Sequence, residues 1–187
     1  MEYKCLSKQE FVIGDYSIVP IRYEDRTLIM HWRNEQIFHL RQKEKLTQAN
    51  QDVYFKEVVL NLFSQEQPSQ ILFSFLYKGN LVGYGGLVHI NWVDKNAEIS
   101  FLINTELEEE HFQEFWEQYL DLITEVGFEQ LKFRKIYTYA FDVRPKLYGA
   151  LRTAKFAEEA RLKDHAFIDN NYVDVLIHSK INRYATS

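Results

Sequence analysis

Polar and apolar positions alternate with a period of two through Asn96-Ala97-Glu98-Ile99-Ser100-Phe101-Leu102-Ile103-Asn104, which predicts a strand. Ala97, Ile99, Phe101 and Ile103 fall on one face, and Glu98, Ser100 and Leu102 on the other. After Thr105 the period changes. Phe112, Phe115, Trp116, Tyr119, Leu122, Ile123 and Val126 recur at helical spacing, which predicts a long amphipathic helix. A strand that runs into a helix N-terminus is a common way to build an anion site.

The same reading orders the rest of the chain. Residues 1–15 are mixed in character and read as a loosely held arm. Ser17–Arg22 reads as a short strand, and Pro20 marks it as an edge or terminal one. Glu24-Asp25-Arg26 opens a helix through Leu28, Ile29 and Trp32. His39–Lys45 is a polar, basic loop. Thr47 is an N-cap for a second helix through Phe55, Val59 and Phe63, with Gln51 near the position of a capping partner. Ile71–Tyr77 is nearly all apolar and should be central and covered on both faces. Lys78-Gly79-Asn80 makes a hairpin turn into Leu81–Asn91, whose Gly83, Gly85 and Gly86 suggest a bulge or close backbone packing. Beyond the long helix, Lys135–Phe141 is a strand and Lys146–Lys155 a short helix with Pro145 in its first turn. Two further strands, Phe156–Lys163 and Tyr172–Ile181, turn at Asp169-Asn170-Asn171. The order is β-α-α-β-β-β-α-β-α-β-β, with no internal repeat or linker.

A chain of 187 residues fits one domain, 1–187, large enough to bury roughly 70% of its unfolded surface. Apolar residues at 46% and charged residues at 26% exclude the disordered class. A net charge of −5 without a basic patch argues against nucleic-acid binding and inclines an amine-binding site toward cations. The single cysteine, Cys5, rules out an internal disulfide. The histidines form no HxxxH or HxH pair, so no metal is expected. With no signal-like start or membrane-length apolar run, a cytoplasmic protein without a membrane partner is expected.

Several fragments recur in a known order. Trp32-Arg33-Asn34 lies on the first helix; Gly83-Tyr84-Gly85-Gly86 precedes Asn96–Ser100; Glu158–Lys163 precedes Tyr172-Val173-Asp174-Val175. From about residue 15 to residue 182 the chain resembles the GNAT superfamily of acetyl-CoA-dependent N-acetyltransferases. Within it the resemblance is to the branch of ribosomal-protein alanine acetyltransferases and related amino-sugar acetyltransferases. The resemblance implies an α+β fold with a mostly antiparallel mixed sheet of about seven strands, splayed between Ala97–Ile103 and Ile136–Phe141. It implies that acetyl-CoA, as co-substrate, lies in that splay against the backbone of Phe101, Leu102 and Ile103. The acceptor amine of a small molecule, amino sugar or peptide would attack the thioester directly, in a monomer or homodimer. Glu98 matches the strand carboxylate that acts as general base; its other reading is a structural glutamate bonded to a neighbouring strand. Trp32, Arg33, Asn34, His89, Asn91 and Trp92 would face the acceptor.

Two departures stand out. The family's glycine-rich pyrophosphate loop is replaced by Asn104-Thr105-Glu106-Leu107-Glu108-Glu109-Glu110-His111, with neither Gly nor Lys nor Arg. Thr105 and Glu108 read instead as a capping box. Like charges there oppose a pyrophosphate by ~1 kcal/mol or more per close pair. The pyrophosphate would then rely on Arg144 or His111. The family's Asn and Tyr in the last helix fall at Arg144 and Leu151, leaving Tyr148 either as the substitute acid or as core. These departures support a second reading, a non-catalytic ligand-binding or interaction module on the same fold.

Overall fold

The computed structural model describes residues 1–183; the last four residues of the expected 1–187 domain lie outside the described residues. Its strands are β1 (Phe11–Ile13), β2 (Tyr16–Pro20), β3 (Ile71–Tyr77), β4 (Asn80–Asn91), β5 (Asn96–Ile103), β6 (Lys135–Phe141), β7 (Ala157–Ile168) and β8 (Asn171–Ile181). They form one sheet in the order β1-β2-β3-β4-β5-β6-β8-β7. The helices are α1 (Arg26–Glu35), α2 (Gln48–Tyr54), α3 (Leu60–Leu62), α4 (Glu108–Glu125) and α5 (Leu147–Thr153). A π-turn over Phe55–Val59 joins α2 to α3. The mostly antiparallel α+β architecture stands as read, with eight strands rather than seven.

The extra strand comes from the supposed arm. Residues 1–15 are not loosely held: Tyr3 stacks on Phe63 at 4.3 Å, donates its hydroxyl to the Leu72 carbonyl and accepts from the Leu72 amide. Tyr3, Leu6 and Phe11 are buried. Their spacing follows neither a helical nor a strand period, so the pattern hides them. Because β1 covers β2, Pro20 does not mark an edge strand. It lies beyond the reach of β1, which pairs only as far as Ile18, so its missing N–H leaves no ladder bond broken on that side. Pro145 likewise sits in the turn ahead of α5 rather than in its first turn. Thr47 caps α2 by accepting from the Asn50 amide, and Gln51 instead bonds the Arg26 carbonyl.

Every neighbouring pair is antiparallel except β5 and β6, which the crossover through α4 makes parallel. That pairing is short: Asn96↔Lys135, Ala97↔Ile136 and Glu98↔Tyr137. From Ile99 onward β4 is the strand that pairs with β5 among the described residues, and the sheet is splayed there.

The apolar stripe of α4 covers one face of this region. Tyr119 lies flat on Phe101, with ring centroids 3.7 Å apart and planes at 4°, and Phe75 meets both Phe101 and Phe115 edge-on. The opposite face carries α1 through Ile29 and Trp32 and the π-turn after α2 through Phe55 and Val59, all buried.

Candidate active site

A cavity of about 200 Å³ opens where β5 and β6 part. Glu98 and Phe101 of β5, Thr138 and Tyr139 of β6, Trp116 of α4, Arg144 before α5, and His39 and Arg41 from the segment after α1 form its walls.

Glu98 is 5% exposed. Its carboxylate is ion-paired with Arg41, whose guanidinium also stacks over Tyr139 at 4.7 Å, so Arg41 spans the gap between the parting strands. His89 approaches the other carboxylate oxygen at 4.0 Å. A β-bulge delivers it. Val88 pairs with Glu98 and Asn91 with Asn96, leaving two residues of β4 opposite one of β5, and His89 takes φ +49°. Burial pushes the Glu98 carboxyl above its ordinary range, while Arg41 and then His89 pull it back down.

Arg144 is buried at the other end of the cavity. Its Nη2 donates to Glu108 at 2.5 Å, its Nη1 contacts the His39 ring, and its guanidinium lies over Phe112 at 5.0 Å. Burial lowers the Arg144 pKa and Glu108 opposes that. Burial, with help from Arg144, drives His39 down to about 3, so its ring is neutral and accepts a hydrogen bond from Arg144 Nη1.

The capping box read from the sequence does not form. A 3₁₀ turn at Thr105–Leu107 delays α4, and Asn104 caps that turn by accepting from the Glu106 amide. The Thr105 hydroxyl is occupied by Glu35 and Gln36 instead. No side chain caps the first turn of α4. Glu108 turns to Arg144 and lies 3.6 Å from Lys146, so its charge is compensated, while Glu109 and Glu110 face solvent.

A second cavity of about 340 Å³ lies between α1, α2 and the sheet. Arg33 and Ser100 line both cavities.

The expected site residues thus divide. Glu98, Phe101, Arg33 and Arg144 come together around the first cavity, and His89 approaches it through Glu98. Leu102 and Ile103 are buried on β5, and the Ile103 carbonyl accepts from Gln36. The others have different work. Tyr148 donates to Asp142 at 2.5 Å and stacks on His178, and burial followed by Asp142 raises its pKa. His111 stacks on Phe115 and contacts Glu114. Trp32 is core; Asn34 donates to the Leu46 carbonyl and accepts from the Leu46 amide. Asn91 accepts from the amides of Val93 and Asp94, and the Trp92 indole donates to the Pro68 carbonyl. Arg41, His39, Trp116, Thr138 and Tyr139 are the site residues that sequence reading missed. Thr138 and Trp116 carried a signal, as polar or indole positions in strand and helix patterns aimed at the splay; the loop residues Arg41 and His39 carried none.

Among the described residues, Trp116 Nε1, Thr138 Oγ1 and Arg144 Nε are buried polar atoms without a hydrogen-bond partner, and all three residues line this cavity. Buried donors are rarely left unpaired. An elongated ligand rich in carbonyl and phosphoryl oxygens would satisfy them, and the unpaired side of β5 from Ile99 offers backbone groups beside them. The site therefore fits acetyl-CoA.

Comparison with known proteins agrees with this geometry. The model of the acetyltransferase (GNAT) domain family matches residues 18–177. The chain belongs to that family. A curated spermidine N(1)-acetyltransferase of Vibrio cholerae is 28% identical over 96 residues, which cover 51% of this chain and 54% of the relative. The match thus spans about half the length of that curated relative. A crystal structure of spermidine N-acetyltransferase from Vibrio cholerae in complex with CoA and spermine superposes with a TM-score of 0.76 at 19% identity, covering 89% of this chain and 95% of that one. A dodecameric structure of the Vibrio cholerae enzyme in an intermediate state gives a TM-score of 0.70 at 20% identity, covering 89% and 94%. Likeness at this identity shows the fold. The ribosomal-protein branch is not singled out. No helix of the described residues is long and apolar enough to cross a membrane.

Proposed function

We propose that this protein is an N-acetyltransferase that moves an acetyl group from acetyl-CoA to a primary amine by direct attack. The observation that carries the reading is the buried Glu98 in the splay, beside three unpartnered polar atoms. Acetyl-CoA supplies an activated thioester there. Glu98 takes one proton from the acceptor ammonium, the nitrogen bonds to the acetyl carbon, the thioester C–S bond breaks, and the second proton lost by the nitrogen goes to the departing sulfur, so that CoA leaves as its thiol. Trp116, Thr138 and Arg144 hold oxygens of the co-substrate, with Lys146 adding positive charge at the phosphate end. Tyr148 is not given the acid role, since its proton is held by Asp142.

The acceptor is a small-molecule amine, an amino sugar or a protein N-terminus; the names of the relatives add a polyamine to the amines worth testing. The strands of the described residues share one sheet, and the chain acts as one domain. Glu98→Gln keeps the shape of the site and removes the base. It should lower kcat by roughly 10²- to 10⁴-fold while calorimetric acetyl-CoA affinity stays put. Unchanged turnover would dismiss Glu98 as base. Tight acetyl-CoA binding without transfer to any amine would favour the ligand-binding module instead.

A further inference from the structure

The second cavity has a charge character opposite to that of the whole molecule. Its one ionic wall residue is Arg33, and no Asp or Glu lines it. Arg33 Nε donates to Gln42 at 2.9 Å and Nη1 to the Tyr84 hydroxyl at 2.7 Å, which leaves Nη2 without a protein partner. The Tyr84 hydroxyl accepts that bond and keeps its own proton to donate. The Tyr54 hydroxyl accepts from Gln70 at 2.9 Å and likewise keeps its proton. A guanidinium and two phenolic donors therefore converge on one chamber. Such a donor set is complementary to an oxyanion and repels a polycation, which would find no carboxylate here.

Its placement gives this meaning. Arg33 and Ser100 line both chambers, and Ser100 shares its face of β5 with Glu98, two residues along. An acceptor reaching across would present its ammonium to Glu98 and its far end to Arg33.

We propose that this chamber receives an anionic group, a carboxylate or a phosphate, on the non-reacting end of the acceptor. The substrate class is then a small primary amine bearing an anion, not a polyamine. The proposal rests on the acetyltransferase reading for the direction in which the amine points.

The test compares 6-aminohexanoate, 5-aminopentyl phosphate, hexylamine and spermidine as acceptors with saturating acetyl-CoA. An anionic amine should exceed hexylamine and spermidine in kcat/KM by at least roughly 10-fold, the value of one charge-assisted hydrogen bond. The better of the two anions identifies the group. Arg33→Gln should erase roughly 10- to 100-fold of that preference through KM, and Arg33→Lys should restore part of it. Tyr84→Phe, which removes only a hydroxyl, should weaken the preference in a folded protein even where Arg33→Gln folds poorly. A preference for spermidine, or an equal loss for all four amines in the variants, overturns the proposal and leaves the acetyltransferase reading intact. If no amine is acetylated, calorimetric binding of the anionic amines decides. Binding lost in Tyr84→Phe and Arg33→Gln upholds the anion site while the transferase reading fails; no binding at millimolar concentration overturns the site.

Discussion

The base role proposed for Glu98 requires the ionised carboxylate, and burial and two neighbours set the pH at which that form appears. Burial is the largest influence and favours the protonated form; Arg41 and then His89 favour the carboxylate. The net direction is upward. The acidic limb of kcat/KM should therefore lie above the ordinary carboxylate range, with activity rising as pH rises through it. Arg41→Gln removes the larger opposing charge, so the limb should move to still higher pH, and His89→Gln should move it less in the same direction. A pH–rate profile at saturating acetyl-CoA checks both, and a limb unmoved by either change separates these residues from the base. The stability consequence has a definite sign. The folded carboxyl holds its proton after the unfolded one has lost it, so Glu98 costs stability as pH rises between those two values. Glu98 was legible in the sequence through the resemblance of its strand to the family's, where it falls at the position of the strand carboxylate. Arg41 was not, because it reaches Glu98 from a loop 57 positions away and obeys no period. Tyr148 shows the converse: the residue type suited an acid, but Asp142, six positions back, engages its proton.

At the scale of elements, β4 carries the features that position the site. Its glycines read correctly as close packing. A Cβ on Gly85 would stand 2.1 Å from the Ser100 carbonyl, 2.6 Å from the Tyr119 hydroxyl and 2.9 Å from the Phe101 Cα. Two of those atoms are backbone of β5 and cannot step aside without moving the wall of the cleft. Gly85→Ala should cost about 3 kcal/mol, at the upper end for overpacking, read as a lower urea midpoint with an unchanged slope. A loss under about 0.5 kcal/mol would refute this packing of α4 and β5 against β4, since surface-like substitutions fall in that range. The bulge between Val88 and Asn91 was not legible: the glycines drew the expectation of a bulge to 83–86, and a polar residue in a strand does not announce a register shift. The capping box failed for a related reason. The Thr-x-x-Glu spacing was present, but a 3₁₀ turn intervened and Glu35 and Gln36, from the end of α1, took the hydroxyl. Local spacing does not show which distant side chain arrives first. The same limit concealed β1 and the segment before it, whose buried rings, Phe11 and Tyr3, depend on Phe73 and Phe63.

The whole molecule is two blocks of sheet meeting at a short seam. β1 to β5 form one and β6 to β8 the other, and the β5–β6 ladder joins them over three residue pairs, reinforced by Arg41 and by the packing of α4. A ligand that fills the splay bonds to both blocks at once and is bound only by the folded chain. Saturation with acetyl-CoA should therefore stabilise the protein by about 2.7 kcal/mol at a hundred times Kd, seen as a rise in the thermal midpoint. The gain should be local in origin. Hydrogen exchange should slow at Ile99–Ile103 on the unpaired side of β5 and at Thr138–Phe141 facing it, more than in β2 and β3, whose amides are already sealed between neighbours. Charge adds a second signature. The chain carries a net −5, yet Arg33, Arg41, Arg144 and Lys146 are gathered at the cleft, so affinity for an anionic co-substrate depends on a local field opposed by the global one. Raising ionic strength screens the exposed Lys146 more than the buried Arg144, and should weaken binding only modestly. Protection confined to surface loops, or a midpoint that does not move at millimolar acetyl-CoA, would mean that the splay is not where the co-substrate binds.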